Sequence, residues 1–146
     1  MTMKKLIAMA AFALWALPAF AAELPAALVQ PFLKAHELLS TDELKGVAEA
    51  AKGVETAAAA LGNDAEPMVT SAKKMGAAKT IAEARTAFGS LSVALDAYVE
   101  KTKSTLPKDL HIAYCPMEDK PWMQKGKEIK NPYYGSSMID CGAIKK

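Results

Sequence analysis

The sequence predicts an all-α protein: an antiparallel bundle of three to four helices with an irregular Pro/Gly-rich C-terminal tail packed on it. Two observations support this prediction. Apolar residues recur at helical spacing through residues 22–107, which are rich in alanine. Residues 108–146 hold both cysteines and have too much proline and glycine to build a core of their own. The sequence has no strand–helix alternation and no Gly-rich phosphate loop, so we expect no nucleotide-binding fold.

Residues 1–21 have the composition of a cleavable signal peptide. MTMKK is a short basic segment, LIAMAAFALWALPAF is an apolar run, and AFA supplies the small residues that a signal peptidase requires. The apolar run is too short for a comfortable transmembrane helix, and no cysteine follows the cleavage point to carry a lipid. We therefore expect a periplasmic protein with no stable membrane insertion after the signal peptide is removed.

Residues 22–146 are expected to form a single domain without net formal charge. The whole chain has 18 basic and 16 acidic residues, and the signal peptide contains Lys4 and Lys5 but no acid, so 16 of each remain. Nucleic-acid binding requires clustered positive charge, which this balance does not provide. No Ser/His/Asp set is suggested either, so we expect neither a nucleic-acid partner nor an enzyme.

The first predicted helix covers residues 25–39, with Pro31 as an alternative starting point. Ser40 and Glu43 have the spacing of a capping box, which predicts a second helix that ends at Gly62.

Two further helices are predicted before the tail. The segment AEPMVTSAKKMGA indicates a short helix on which Met68 and Met75 share a face, and we assign both to the bundle core. A second capping box, Thr80 with Glu83, opens the longest helix, which ends at Pro107.

The tail contains two segments with distinctive chemistry, HIAYCPM and MIDCG, separated by the turn signal NPYYG. A short strand is predicted at residues 111–114. Thiolate and thioether sulfurs are soft donors that favour Cu(I) and Ag(I) over hard cations. If the two segments meet, they form a soft-metal site, to which a histidine could add an imidazole. The candidate ligands are Cys115, Met117, Met138, Cys141 and His111.

Two alternatives use the same cysteines. In an exported protein, two cysteines usually form a disulfide, and a Cys115–Cys141 bond would close a loop of about 27 residues, worth about 3–4 kcal/mol. The chain would then be a disulfide-stapled protein-interaction module without metal. The second alternative is a thiol-redox protein, although the pair lacks C-x-x-C spacing. A cysteine pair that binds metal as a dithiol and forms a disulfide when oxidised would combine the metal-binding and disulfide hypotheses.

The tail motif AYCPM…W…KEIKNPYYGSSMIDCG resembles that of a small domain of unknown function. This domain occurs alone in exported bacterial proteins and at the C-terminus of periplasmic adaptor proteins of copper/silver efflux pumps. IAEARTAFGSLSVAL and AHELLSTDELKGVAEAA are similar to its helices, so the resemblance spans nearly all of residues 22–146. The spacer EDKP is compact for the family, and the adaptor's hairpin and barrel regions are missing. The resemblance implies an association with copper or silver handling in the periplasm. We expect the protein to sequester copper(I) or silver(I) or to deliver it to a periplasmic efflux or metallochaperone partner.

Overall fold

Four helices precede a small sheet in the computed structural model, which describes residues 21–146. The predicted signal peptide, residues 1–21, lies outside this range except for Ala21. No helix within the described range is long and apolar enough to cross a bilayer. The elements are α1 (Ala26–Ser40), α2 (Val47–Ala59), α3 (Glu66–Ala77), α4 (Ile81–Thr102), β1 (Leu110–Cys115), β2 (Lys120–Lys125) and β3 (Ala143–Ile144), with short 3-10 helices at Asn63–Ala65 and Gly135–Ser137.

The all-α prediction is wrong, because the tail forms a three-stranded antiparallel sheet instead of an irregular segment. β1 pairs with β2 along its whole length and with β3 on its other edge, so the predicted strand at 111–114 lies in the central strand. The sequence pattern does not predict β2, because Pro121 and the lysines at both ends of the strand interrupt the alternation of apolar and polar residues. Proline is tolerated there because β2 is an edge strand.

Consecutive helices pack against one another, and α1 continues through Pro31 without a break, so the alternative start at that residue is wrong. The Pro31 ring faces α2 at Gly53, where a Cβ atom would lie only 2.8 Å from the Cβ of Pro31. Glycine at this position therefore lets the two helices approach closely. Met68 and Met75 are buried on α3, which confirms their assignment to the core.

The two predicted capping boxes have different outcomes. Thr80 caps α4, since its Oγ1 accepts a hydrogen bond from the backbone N–H of Glu83 at 3.2 Å. Ser40 does not begin a helix: it is the last residue of α1, and its hydroxyl donates to the carbonyl of His36 at 2.8 Å. α2 begins only after Gly46, whose φ of +92° belongs to the left-handed region.

Aromatic side chains attach the sheet to the helices. Phe88 of α4 lies 5.0 Å from Phe32 of α1 and 6.2 Å from Tyr133 of the tail, measured between ring centroids. The Tyr133 ring in turn meets the buried Trp122 of β2 edge to face, at 5.9 Å. These rings form one continuous core between bundle and tail.

Arg85 on α4 adds a polar clamp between the helices and the tail. Its guanidinium donates to the carbonyls of Leu39 at 2.8 Å and Pro132 at 2.9 Å, and to Asp42 Oδ1 at 2.6 Å. Asp42 also accepts from the backbone N–H of Ser136 at 3.1 Å. Hydrogen bonds from Ser136 and Arg85 lower the pKa of Asp42 to about 2. The clamp therefore connects α1, α4 and the tail through one ion pair.

His36 is buried between α1 and the tail. Its Nε2–H donates to the carbonyl of Lys130 at 2.7 Å, and the Ser40 hydroxyl lies beside the same carbonyl at 3.2 Å. Burial lowers the pKa of His36 from 6.5 to about 4, an effect that the hydrogen bond to Lys130 only partly opposes. The imidazole is therefore neutral in the folded protein at neutral pH.

We predict that His36 makes the protein lose stability on mild acidification. Because its pKa falls from 6.5 to about 4 on folding, the unfolded chain takes up the proton first. The contribution of neutral His36 to the free energy of unfolding is complete above pH 6.5. It is lost as the pH falls, and the loss is about 2 kcal/mol at about pH 5. Urea unfolding between about pH 7 and about pH 5 measures this loss. The decline should be absent in His36→Gln and retained in the control His111→Gln; an equal decline in both variants would contradict the prediction.

Candidate metal-binding site

The structure brings the two cysteines together at one end of the sheet. Cys115 is the last residue of β1, and the residue before it, Tyr114, pairs with Ala143, two residues after Cys141. The two free thiols are therefore carried by adjoining segments. Cys115 is fully buried, at 0 % exposure, whereas Cys141 is half-buried.

The surroundings of Cys141 favour its protonated thiol when no metal is bound. Burial raises the pKa of the Cys141 thiol, and charge on Cys115 and a hydrogen bond with it raise that pKa further. A metal ion that binds the Cys141 sulfur as a thiolate must therefore displace its proton, so the apparent affinity of the ion would increase with pH.

Asn131 fixes the position of the loop that carries Cys141. Its side chain is completely buried, and its Nδ2 donates to the carbonyl of Cys141 at 2.7 Å. Its backbone N–H donates to the carbonyl of Ile139 at 2.7 Å, and its Oδ1 accepts from the N–H of Tyr133 at 2.8 Å and of Tyr134 at 3.3 Å. One amide thus connects two loops through groups that would otherwise be buried without partners.

Gly142 allows the same loop to approach the sheet closely. Its φ is +139°, and an added Cβ atom would lie 2.7 Å from Cη2 of Trp122 and 2.9 Å from the carbonyl oxygen of Tyr114. Any larger residue would push this segment away from the sheet and would separate Cys141 from Cys115. The sequence motif showed this glycine only as the neighbour of a cysteine.

Each methionine candidate shares a turn or strand end with one of the thiols. Met117 lies in the turn between β1 and β2, just beyond Cys115, and is 63 % exposed. Met138 is half-buried, and its carbonyl accepts from the N–H of Cys141 at 3.1 Å, which makes the two residues the ends of one turn. All four sulfur-bearing candidates therefore belong to the same end of the sheet.

His111 does not join this group. It lies on β1, four residues before Cys115, and pairs across the hairpin with Gln124. A strand rises about 3.3 Å per residue, so the two Cα atoms are about 13 Å apart. A ligand bond to a metal ion is only about 2 Å long, so His111 and Cys115 cannot bind the same ion in this arrangement.

Tyrosine hydroxyls hold the turn that carries Met117. The Tyr134 hydroxyl donates to Glu118 at 2.8 Å, and the Tyr114 hydroxyl donates to Asp119. The hydrogen bond to Glu118 raises the pKa of Tyr134, so this hydroxyl stays protonated at neutral pH. Neither carboxylate was recognised from the sequence, because only the folded hairpin brings the tyrosines to them.

Within residues 21–146, no three histidine, cysteine, aspartate or glutamate side chains converge on one point. The candidate site therefore consists of two thiols, Cys115 and Cys141, with two thioethers on adjoining turns. This donor set matches soft monovalent ions better than zinc, which normally takes four nitrogen, sulfur or oxygen ligands.

Comparison with known proteins found no matching family model, no matching curated protein and no matching solved structure. The resemblance of the tail motif to the efflux-adaptor domain therefore stays a prediction.

We predict that Asn131→Asp destabilises the protein and loosens the Cys141 loop. The substitution keeps the acceptor for the two tyrosine N–H groups but removes the donor to the Cys141 carbonyl, at a cost of about 2 kcal/mol or more. Urea unfolding measures the loss, and the rate of reaction with a thiol reagent should rise. Asn63→Asp, on an exposed 3-10 helix, is the control and should change stability by less than about 0.5 kcal/mol. An Asn131→Asp protein as stable as the control would show that the amide does not hold the loop.

Proposed function

We propose that this protein is a periplasmic, non-catalytic binding protein for copper(I) or silver(I), which uses Cys115 and Cys141 as its principal ligands. The observation that supports this proposal most directly is the pairing of Tyr114 with Ala143, which brings the segments of two free thiols together although they are distant in sequence. Two thiolates satisfy the low coordination number that these ions accept, and sulfur matches their softness.

The thioethers extend this ligand set. Met138 is tied to Cys141 by a backbone hydrogen bond, so the thioether and the thiol are carried by the same turn. Met117 is exposed on the hairpin turn, where an arriving ion or a partner protein can reach it. Neutral thioethers add donors without adding negative charge or further oxidisable thiols, which suits an oxidising compartment.

The exposure of the candidate ligands indicates the path by which an ion would enter and leave the site. Cys115 lies fully buried in the central strand, and Cys141 and Met138 are half-buried, so an ion arrives and leaves past the loop ligands. This arrangement fits sequestration of the ion or its delivery to an efflux or metallochaperone partner, and the resemblance of the tail motif implies copper or silver handling in the periplasm.

The same two thiols also support a second candidate function, in which Cys115 and Cys141 form a disulfide and no metal binds. The adjoining segments of the two cysteines are compatible with both chemistries. They differ in what the reduced protein does: only a metal-binding protein competes with a chelator for Cu(I).

We predict that the reduced chain without its signal peptide binds one equivalent of Cu(I) in an anaerobic titration against a chromophoric chelator. Cys115→Ser and Cys141→Ser should each weaken binding by at least about 100-fold, and Met138→Leu by about 10-fold. Met75→Leu is the matched control, because this methionine is buried in α3 and should leave the affinity unchanged.

Two results would contradict the proposed function. One is a failure of the reduced wild-type protein to compete with the chelator at all. The other is equal competition by the wild type and by both cysteine variants, which would place any bound copper elsewhere. A repeat of the titration with Ag(I) shows which of the two ions binds more tightly.

A further inference from the structure

The two thiols differ in their access to solvent, and this difference has chemical consequences. Cys115 lies at 0 % exposure at the end of the central strand of the sheet, where it pairs with Lys120 of β2. Cys141 lies on a loop at the edge of the sheet and is half-buried. Since thiol–disulfide exchange depends on access to the attacking sulfur, an external disulfide can reach Cys141 but not Cys115.

We propose that Cys141 is the exchanging thiol and Cys115 the resolving thiol of a redox switch, and that the disulfide they form closes the metal site. The order of the two thiols follows from the geometry alone. The effect on metal rests on the proposed function.

The exchange proceeds in two balanced steps with a small disulfide such as glutathione disulfide as oxidant. The thiolate of Cys141 attacks one glutathione sulfur, the glutathione S–S bond breaks, and one glutathione thiolate leaves, which takes up the proton lost by Cys141. The thiolate of Cys115 then attacks Sγ of Cys141, the mixed disulfide breaks, and the second glutathione leaves as a thiol. Two protein thiols are oxidised, and one glutathione disulfide is reduced to two thiols.

The structure favours the second step over a second external attack. Tyr114 pairs with Ala143, so the segments that carry Cys115 and Cys141 adjoin and the mixed disulfide at Cys141 forms beside its resolving partner. Asn131 and Gly142 hold the loop in this position, through the hydrogen bond to the Cys141 carbonyl and the close approach to Trp122. An intramolecular thiol held in this way has a far higher effective concentration than glutathione in solution.

Closure removes the ligands that the metal requires. A disulfide offers no thiolate to Cu(I), and the remaining thioethers of Met117 and Met138 are neutral donors on separate turns. The oxidised protein is therefore an apo form that cannot reload until a reductant restores both thiols. The redox state of this one pair then decides whether the protein binds metal.

The order of the thiols is tested on the metal-free reduced protein with glutathione disulfide and mass spectrometry. Because the chain has only 2 cysteines, each single variant reports on one thiol. Cys115→Ser should accumulate one glutathione adduct on Cys141, at least ~10-fold faster than Cys141→Ser gains one on Cys115. The wild type should pass to an intramolecular disulfide without accumulating adduct. Equal rates in the two variants, or two adducts on each wild-type chain, would overturn the proposal.

Serine at a buried position can unfold the protein and expose the other thiol, so Cys115→Ala and Cys141→Ala are examined in parallel. Alanine leaves no unpaired hydroxyl, and circular dichroism with urea unfolding verifies that each variant is folded. The difference in rates should persist in the alanine pair. Its disappearance in folded alanine variants would overturn the order.

The effect on metal is tested by titrating the oxidised wild-type protein with Cu(I) against the chelator, before and after reduction with a non-thiol phosphine that is then removed. The oxidised protein should not compete, and reduction should restore competition. Equal binding by both forms would overturn the switch together with the assignment of the two thiols as ligands, whereas failure of the wild type to form the disulfide, with Cu(I) binding by the reduced form intact, would overturn the switch alone. No binding by the reduced form would refute the proposed function, while the exchange order would still be decided by the glutathione experiment.

Discussion

The candidate site depends on one buried amide, that of Asn131. A tail of loops and short strands buries many backbone groups, and each needs a partner. Asn131 supplies partners on both sides: its Nδ2 donates to the Cys141 carbonyl at 2.7 Å, and its Oδ1 accepts from the N–H of Tyr133 at 2.8 Å. The first bond sets the position of a candidate ligand, and the second sets the ring that packs on Phe88 of α4. The position of the thiols and the packing of the tail on the bundle therefore depend on the same residue, Asn131.

Buried hydrogen bonds help to order the tail. Gln124, buried in β2, accepts from the indole N–H of Trp122 at 2.9 Å and donates to the Glu128 carbonyl at 2.7 Å, which closes the loop after the hairpin. Arg85 holds the opposite side of the tail to the bundle. These buried hydrogen bonds and the aromatic core hold the tail, in which Cys115 and Cys141 are free thiols.

The helices could be predicted from the sequence because their signals are local: apolar periodicity, the Thr80 cap, and the buried Met68 and Met75. The sheet was missed because β2 and β3 become strands only by pairing with β1, and β3 has just 2 residues. Proximity in sequence was also misleading at His111. Residues four apart adjoin on a helix, but on a strand they are about 13 Å apart. The role of Asn131 depends on a carbonyl that is 10 residues away, so its local sequence indicated only a turn.

The two halves of the site differ in how the fold supports them. Cys115 belongs to the central strand, whereas Cys141 belongs to a loop that its neighbours hold through the Asn131 amide and the contact of Gly142 with Trp122. Any bond that bridges the two sulfurs, whether through a metal ion or as a disulfide, also fastens this loop to the sheet. Binding to the folded state alone shifts the unfolding equilibrium, so occupancy of the site and stability of the tail must rise together. Conversely, displacement of the loop from Trp122 would separate Cys141 from Cys115 and weaken the packing of the tail on the sheet.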